Sequence, residues 1–125
     1  MAKILVIDDD PDTMRILEAK LTDSGYQVMQ AVNGKEGLEK AKQNRPDLIL
    51  LDVMMPVQDG LSVLQHLKFD SLTDKIPVVI MTAKGEKMQN LFKMEGAVAY
   101  LTKPFVFSEL LNALKKCLVK ESPAP

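Results

Sequence analysis

Residues 47–52 read Asp-Leu-Ile-Leu-Leu-Asp, four large apolar residues in a row between two carboxylates. The run is short and unbroken by polar residues, so it predicts a strand buried on both faces, as in a parallel sheet. Working outward, similar short runs stand at 3–8 (KILVID), 26–31 (YQVMQA), 76–82 (IPVVIMT) and 97–102 (AVAYLT). Between them the spacing turns helical. Met14, Leu17 and Leu21 share a face over 11–24, and Leu38, Ala41 and Lys42 one side over 35–43. Leu61, Leu64 and Leu67 mark a third helix, and Met88, Leu91 and Phe92 a fourth over 86–95. Leu110, Leu111, Leu114 and Leu118 mark a fifth over 105–120. Asp10 is a good N-cap, Pro11 suits the first helical position, and Ser24-Gly25 ends that helix. Asn33-Gly34 reads as a turn. Strand and helix alternate five times, which predicts an α/β fold with helices on both faces of a parallel sheet and right-handed crossovers.

Composition narrows the function. The 125 residues suit one domain, with 46% apolar and 26% charged residues, as in a folded globular chain. Net charge is −1, so the basic excess of a non-specific nucleic-acid binder is missing. A single Cys excludes an intramolecular disulfide framework and a Cys-rich zinc site. The first apolar run is too short for a signal-peptide core or a membrane span. The reading is a cytoplasmic protein with neither nucleic acid nor membrane as partner.

In an open α/β sheet the site lies at the carboxyl ends of the strands. Strand one ends in Asp8-Asp9-Asp10, strand three in Asp52, strand four in Thr82-Ala83 and strand five in Lys103-Pro104. Asp8, Asp9 and Asp52 carry −3 against +1 from Lys103, and a divalent cation would neutralise the set. All-oxygen ligands without His or Cys favour Mg²⁺ over zinc. A carboxylate beside such a metal can attack phosphorus. Lys103 would neutralise phosphoryl charge, and the Thr82 hydroxyl would donate a hydrogen bond to a phosphoryl oxygen.

Four stretches then carry a family resemblance: VIDDD at 6–10, LLDVMMPVQDG at 50–60, MTA at 81–83 and GAVAYLTKPF at 96–105. In this order and spacing the chain resembles a bacterial two-component response-regulator receiver domain, stand-alone and similar to chemotaxis regulators, over residues 3–120. The resemblance implies a flavodoxin-like five-stranded sheet of order 2-1-3-4-5 with five helices. It implies Asp52 as phosphoacceptor, with Asp8, Asp9, Asp52 and the Met54 backbone carbonyl as Mg²⁺ ligands. It implies Thr82, the Ala83 backbone and Lys103 as phosphoryl contacts, and Thr82 with Tyr100 as the switch. The implied donor is a phosphohistidine on a sensor histidine kinase or a histidine phosphotransfer protein. An effector protein would read the phosphorylated state, the chain being a monomer, or a dimer when phosphorylated. The expected organisation is a receiver over 1–121, a frayed tail over 122–125 and no output domain.

Two departures stand out. The stretch from Thr82 to Lys103 is one residue shorter than the family's usual length, which predicts a helix that is short or irregular near Lys84-Gly85. Val98-Ala99 stands where such proteins often carry acidic residues. Outside the site, His66 falls off the apolar stripe and reads as a surface residue. Cys117 reads as core packing, and Gly60 as relief of a tight turn. Two other classes compete. A Mg²⁺-dependent phosphohydrolase would use Asp8 as nucleophile and Asp10, two residues on, as acid, although no cap domain is evident. A flavin binder would need a phosphate cradle after strand one, where the Asp triplet repels phosphate.

Overall fold

The computed structural model describes residues 2–52, 60–83, 96–103 and 106–121. In chain order the elements are β1 (Lys3–Ile7), α1 (Pro11–Asp23), β2 (Gln27–Ala31), α2 (Gly34–Asn44) and β3 (Leu48–Asp52). They continue as α3 (Gly60–Phe69), β4 (Val78–Ala83), β5 (Ala99–Lys103) and α4 (Phe107–Glu121). The strands pair in parallel in the order β2-β1-β3-β4-β5, the doubly wound order expected. The helix expected over 86–95, its irregular start, Met54 and the tail over 122–125 lie outside the described residues.

The quoted run is the centre of the sheet. Leu48, Ile49, Leu50 and Leu51 are completely buried, which favours folding by about 2 kcal/mol for each such side chain. Alternation divides the strand residues between two cores. Leu5, Ile7, Ile49, Leu51, Val78 and Ile80 pack with Val63, Leu64 and Leu67 of α3. Ile4, Val6, Leu48, Leu50, Val79 and Met81 pack with Leu17 and Leu21 of α1 and Leu110 and Leu114 of α4. Each core is therefore one face of the sheet closed by its helices.

Helix entry on α1 follows the sequence: the Asp10 carboxylate accepts from the Asp12 amide, and Pro11 opens the helix. Gly25, at φ 95°, takes the left-handed turn that ends it. Three local expectations change. Asn33 belongs to no simple turn but caps α2, its side chain accepting from the Glu36 amide at 2.9 Å. Glu36 in turn accepts from the Val32 amide at 3.1 Å, a reciprocal cap. Lys42 lies off the buried side of α2, which is formed by Gly34, Gly37 and Ala41, because Lys42 reaches out to Asp70 instead. Gly60 is the buried first residue of α3, and the described glycines at positive φ are Gly25 and Gly96. Gly37 matters more: a Cβ there would stand 2.5 Å from Ile7 Cδ1, so glycine lets α2 close onto β1. His66 is exposed and Cys117 is buried, as read.

Candidate functional site

Parallel register carries the chemistry to one edge. Ile7 pairs with Leu51 and Ala31, so Asp8 leaves β1 beside the end of β3. Asp52 pairs with Met81, and Thr82 and Ala83 pair with Thr102 and Lys103. Five candidate residues from four strands therefore meet at the carboxyl edge of the sheet, with Asp9 next to Asp8.

Asp8 is fully buried and Asp52 is 4% exposed, whereas Asp9 is open to solvent. One carboxylate oxygen from each of Asp8, Asp9 and Asp52 lies within 4.8 Å of the others. Lys103 Nζ donates to Asp8 Oδ2 at 2.9 Å and stands 3.6 Å from Asp52 Oδ2. One ammonium thus serves two buried carboxylates, an arrangement that leaves negative charge in excess and costs desolvation of every ion involved. Hard oxygen donors in this number, with no His or Cys in the group, suit Mg²⁺. Met54, whose carbonyl the resemblance adds to the ligand set, is outside the described residues.

Asp8 has a second task that its sequence position did not reveal. Its Oδ1 accepts from the Asp10 amide at 3.0 Å, and its own amide donates to Ala31 O at 3.0 Å. The first bond fixes the turn between β1 and α1, and the second ties the end of β1 to β2. Asp10, by contrast, is committed to the helix. Its Oδ2 accepts from the Thr13 hydroxyl at 2.6 Å and its Oδ1 from the Asp12 amide at 3.2 Å. The Thr13 hydroxyl first, and the Asp12 amide second, hold the Asp10 carboxyl below the usual aspartate range.

Tyr100 is half-buried and packs on the α3 side of the sheet. It pairs with Ile80, two residues before Thr82 on β4. A groove of about 470 Å³ runs from Asp8 and Asp9 between α1 and β2, past Arg15 and Glu18 to Gln30 and Val32. Among the described residues no helix is long and apolar enough to cross a membrane.

Known proteins agree with this layout. The model of the response regulator receiver domain matches residues 4–115. The chain is 40% identical to Protein PilH of Pseudomonas aeruginosa over 119 residues, covering 94% of this chain and 98% of that one. It is 41% identical to the DNA-binding dual master transcriptional regulator RpaA of Synechocystis over 126 residues, spanning all of this chain but only 52% of RpaA. The crystal structure of chemotaxis protein CheY4 of Vibrio cholerae superposes with a TM-score of 0.88 at 34% identity, covering 94% of this chain and 99% of that one. The receiver domain of the sensor histidine kinase PA1611 of Pseudomonas aeruginosa, solved with a magnesium ion in its active-site cleft, superposes with a TM-score of 0.86 at 29% identity, covering 94% and 97%. With the sheet order, the acidic cluster and the lysine already in place, these matches establish that the chain belongs to the response regulator receiver domain family.

Proposed function

We propose that this chain accepts a phosphoryl group from a phosphohistidine donor onto Asp52 and that the modification changes its binding to an effector protein. One observation carries the reading: three carboxylates from the ends of β1 and β3 converge within 4.8 Å of one another, with Lys103 bonded to one of them and 3.6 Å from Asp52. In the proposed step an Asp52 carboxylate oxygen attacks phosphorus. A P–O bond forms, the P–N bond to histidine breaks, and the imidazole leaves with the proton it carried as the phosphorylated cation. Asp8, Asp9 and Asp52 would hold Mg²⁺, which supplies charge neutralisation for the phosphoryl oxygens when bound. Lys103 supplies a fixed positive charge beside the acceptor, and Thr82 a hydroxyl at the end of β4.

The donors consistent with this chemistry are a sensor histidine kinase and a histidine phosphotransfer protein. The phosphohydrolase reading requires Asp10 to arrive protonated as an acid. Its carboxylate is instead engaged in capping α1, accepting from the Thr13 hydroxyl and the Asp12 amide, which argues against its use as the acid of a turnover cycle. The discriminating experiment supplies phosphoramidate, a small P–N donor, and separately a phosphomonoester. Labelling of the chain by the first and no steady hydrolysis of the second is the expected result. Steady release of phosphate from the monoester would refute the receiver reading.

A further inference from the structure

The largest exposed apolar side chain of the described residues lies far from the acidic cluster. Phe69, the last residue of α3, is 94% exposed. The fold does not use it, since the buried face of α3 is Gly60, Val63, Leu64 and Leu67. Phe69 borders a hollow of about 600 Å³ between α2 and α3, lined also by Leu38, Lys42, Gln65, His66 and Asp70. Nearby Leu72 is 45% exposed. In a parallel sheet the helices run opposite to the strands, so the C-terminal ends of α2 and α3 lie at the edge away from Asp52.

We propose that this surface binds a second copy of the same chain about a two-fold axis, each Phe69 ring entering the other copy's hollow. Two features favour a copy of itself over another occupant. The surface offers a projecting ring and a concave site side by side, which is what a self-complementary contact needs. Its charges are balanced: Lys42 Nζ stands 3.2 Å from Asp70 Oδ2, so the rim presents one formal charge of each sign. Facing itself in reverse, such a rim sets positive against negative, whereas a strongly acidic or basic partner would be met by one matched and one opposed charge. Because the contact lies at the opposite edge, it leaves Asp52 open and does not depend on phosphorylation.

The test is sedimentation velocity over a concentration series reaching the millimolar range, with amide chemical shifts recorded on dilution. Wild type is expected to gain mass towards a dimer as concentration rises, with shifts concentrated at Leu38, Lys42, Gln65 and residues 69–72. Phe69→Asp, a change at a side chain outside the core, is expected to weaken association about thirtyfold or more, as for a central aromatic anchor. Ile16→Asp, at an exposed apolar site on α1 (56% against 94% for Phe69), is expected to leave association unchanged. A wild-type chain that stays monomeric throughout overturns the proposal and assigns the hollow to a partner of other chemistry. Equal association by Phe69→Asp overturns it as well. Circular dichroism of Phe69→Asp checks folding, and Phe69→Ala replaces it in the series if its spectrum departs from wild type.

Discussion

Lys103 on β5 donates a 2.9 Å hydrogen bond to Asp8, the residue just after β1, although β3 and β4 lie between those strands in the sheet. Three inter-strand steps amount to about 14 Å along a flat sheet. A lysine side chain and the sheet's twist together bridge that span at the carboxyl edge. The bond crosses above the end of β3, and so passes within 3.6 Å of Asp52. This cation ties the two sides of the site together.

Removing Lys103 is therefore expected to cost stability as well as chemistry. Lys103→Met leaves Asp8, fully buried, and Asp52 without their shared cation. The expected loss in the absence of Mg²⁺ is about 3 kcal/mol. Added Mg²⁺ should recover part of it. Urea denaturation of both proteins with and without the metal measures this, and equal midpoints would contradict the role given to Lys103.

Asp9 is the exposed member of the carboxylate group, so its substitution should disturb the fold least and metal binding directly. Asp9→Ala is expected to weaken Mg²⁺ binding about tenfold or more, with thermal stability in the absence of metal nearly unchanged. An NMR titration with Mg²⁺, following amides at 8–10 and 52, measures it. Metal binding as tight as wild type would remove Asp9 from the ligand set.

Part of the acid dependence of stability is expected from two carboxylates that, among the described residues, are held below their ordinary range. Asp10 is lowered first by the Thr13 hydroxyl, and Asp70 first by the Leu72 amide and then by Lys42. A depressed folded pKa means that the unfolded chain takes up the proton more readily. The stabilisation is complete above the unfolded aspartate value of about 3.9 and is lost as pH falls through the folded values. Asp10→Asn and Asp70→Asn, which keep an accepting side-chain oxygen, should lose less stability than wild type below about pH 4. Thermal melts across that range check this, and identical pH profiles would contradict it.

The legibility of this protein in its sequence was uneven for physical reasons. The sheet could be read because residues 48–51 are buried on both faces, leaving an unbroken apolar run. The site could be read because parallel strands end at one edge, so residues after each run must meet there. Strand boundaries moved at Ile76 and Pro77, which precede β4, and at Ala97 and Val98, which precede β5. Apolar residues outside the ladder look the same in sequence as those inside it. The division of labour within Asp8-Asp9-Asp10 was only partly legible. Asp10 announced itself as a cap by preceding Pro11, but which neighbour is buried depends on the twist of β1 against β2 and β3. Phe69 stands two residues past Leu67, off the stripe of Leu61, Leu64 and Leu67, so its exposure follows from helical spacing.

Coupling from the acceptor to the surface is expected to run through Thr82. It stands at the end of β4, paired with Thr102, two residues along β5 from Tyr100. A hydrogen bond from its hydroxyl to a charged phosphoryl oxygen is worth about 1.5–3 kcal/mol, enough to move a two-state balance roughly 10- to 150-fold. Thr82→Ala should still bind beryllofluoride at Asp52 but lose most of the shift changes around Tyr100. Full wild-type shifts in the variant would route the signal elsewhere.

The central claim is that Asp52 is the one acceptor. Incubation with acetyl phosphate and Mg²⁺, followed by intact and peptide mass measurement, tests it most directly. The account predicts one added phosphoryl group, confined to the peptide that contains Asp52, and none in Asp52→Asn. Labelling of Asp52→Asn at the wild-type rate, or a phosphoryl group found on Asp8 or Asp9 in the wild type, would contradict it.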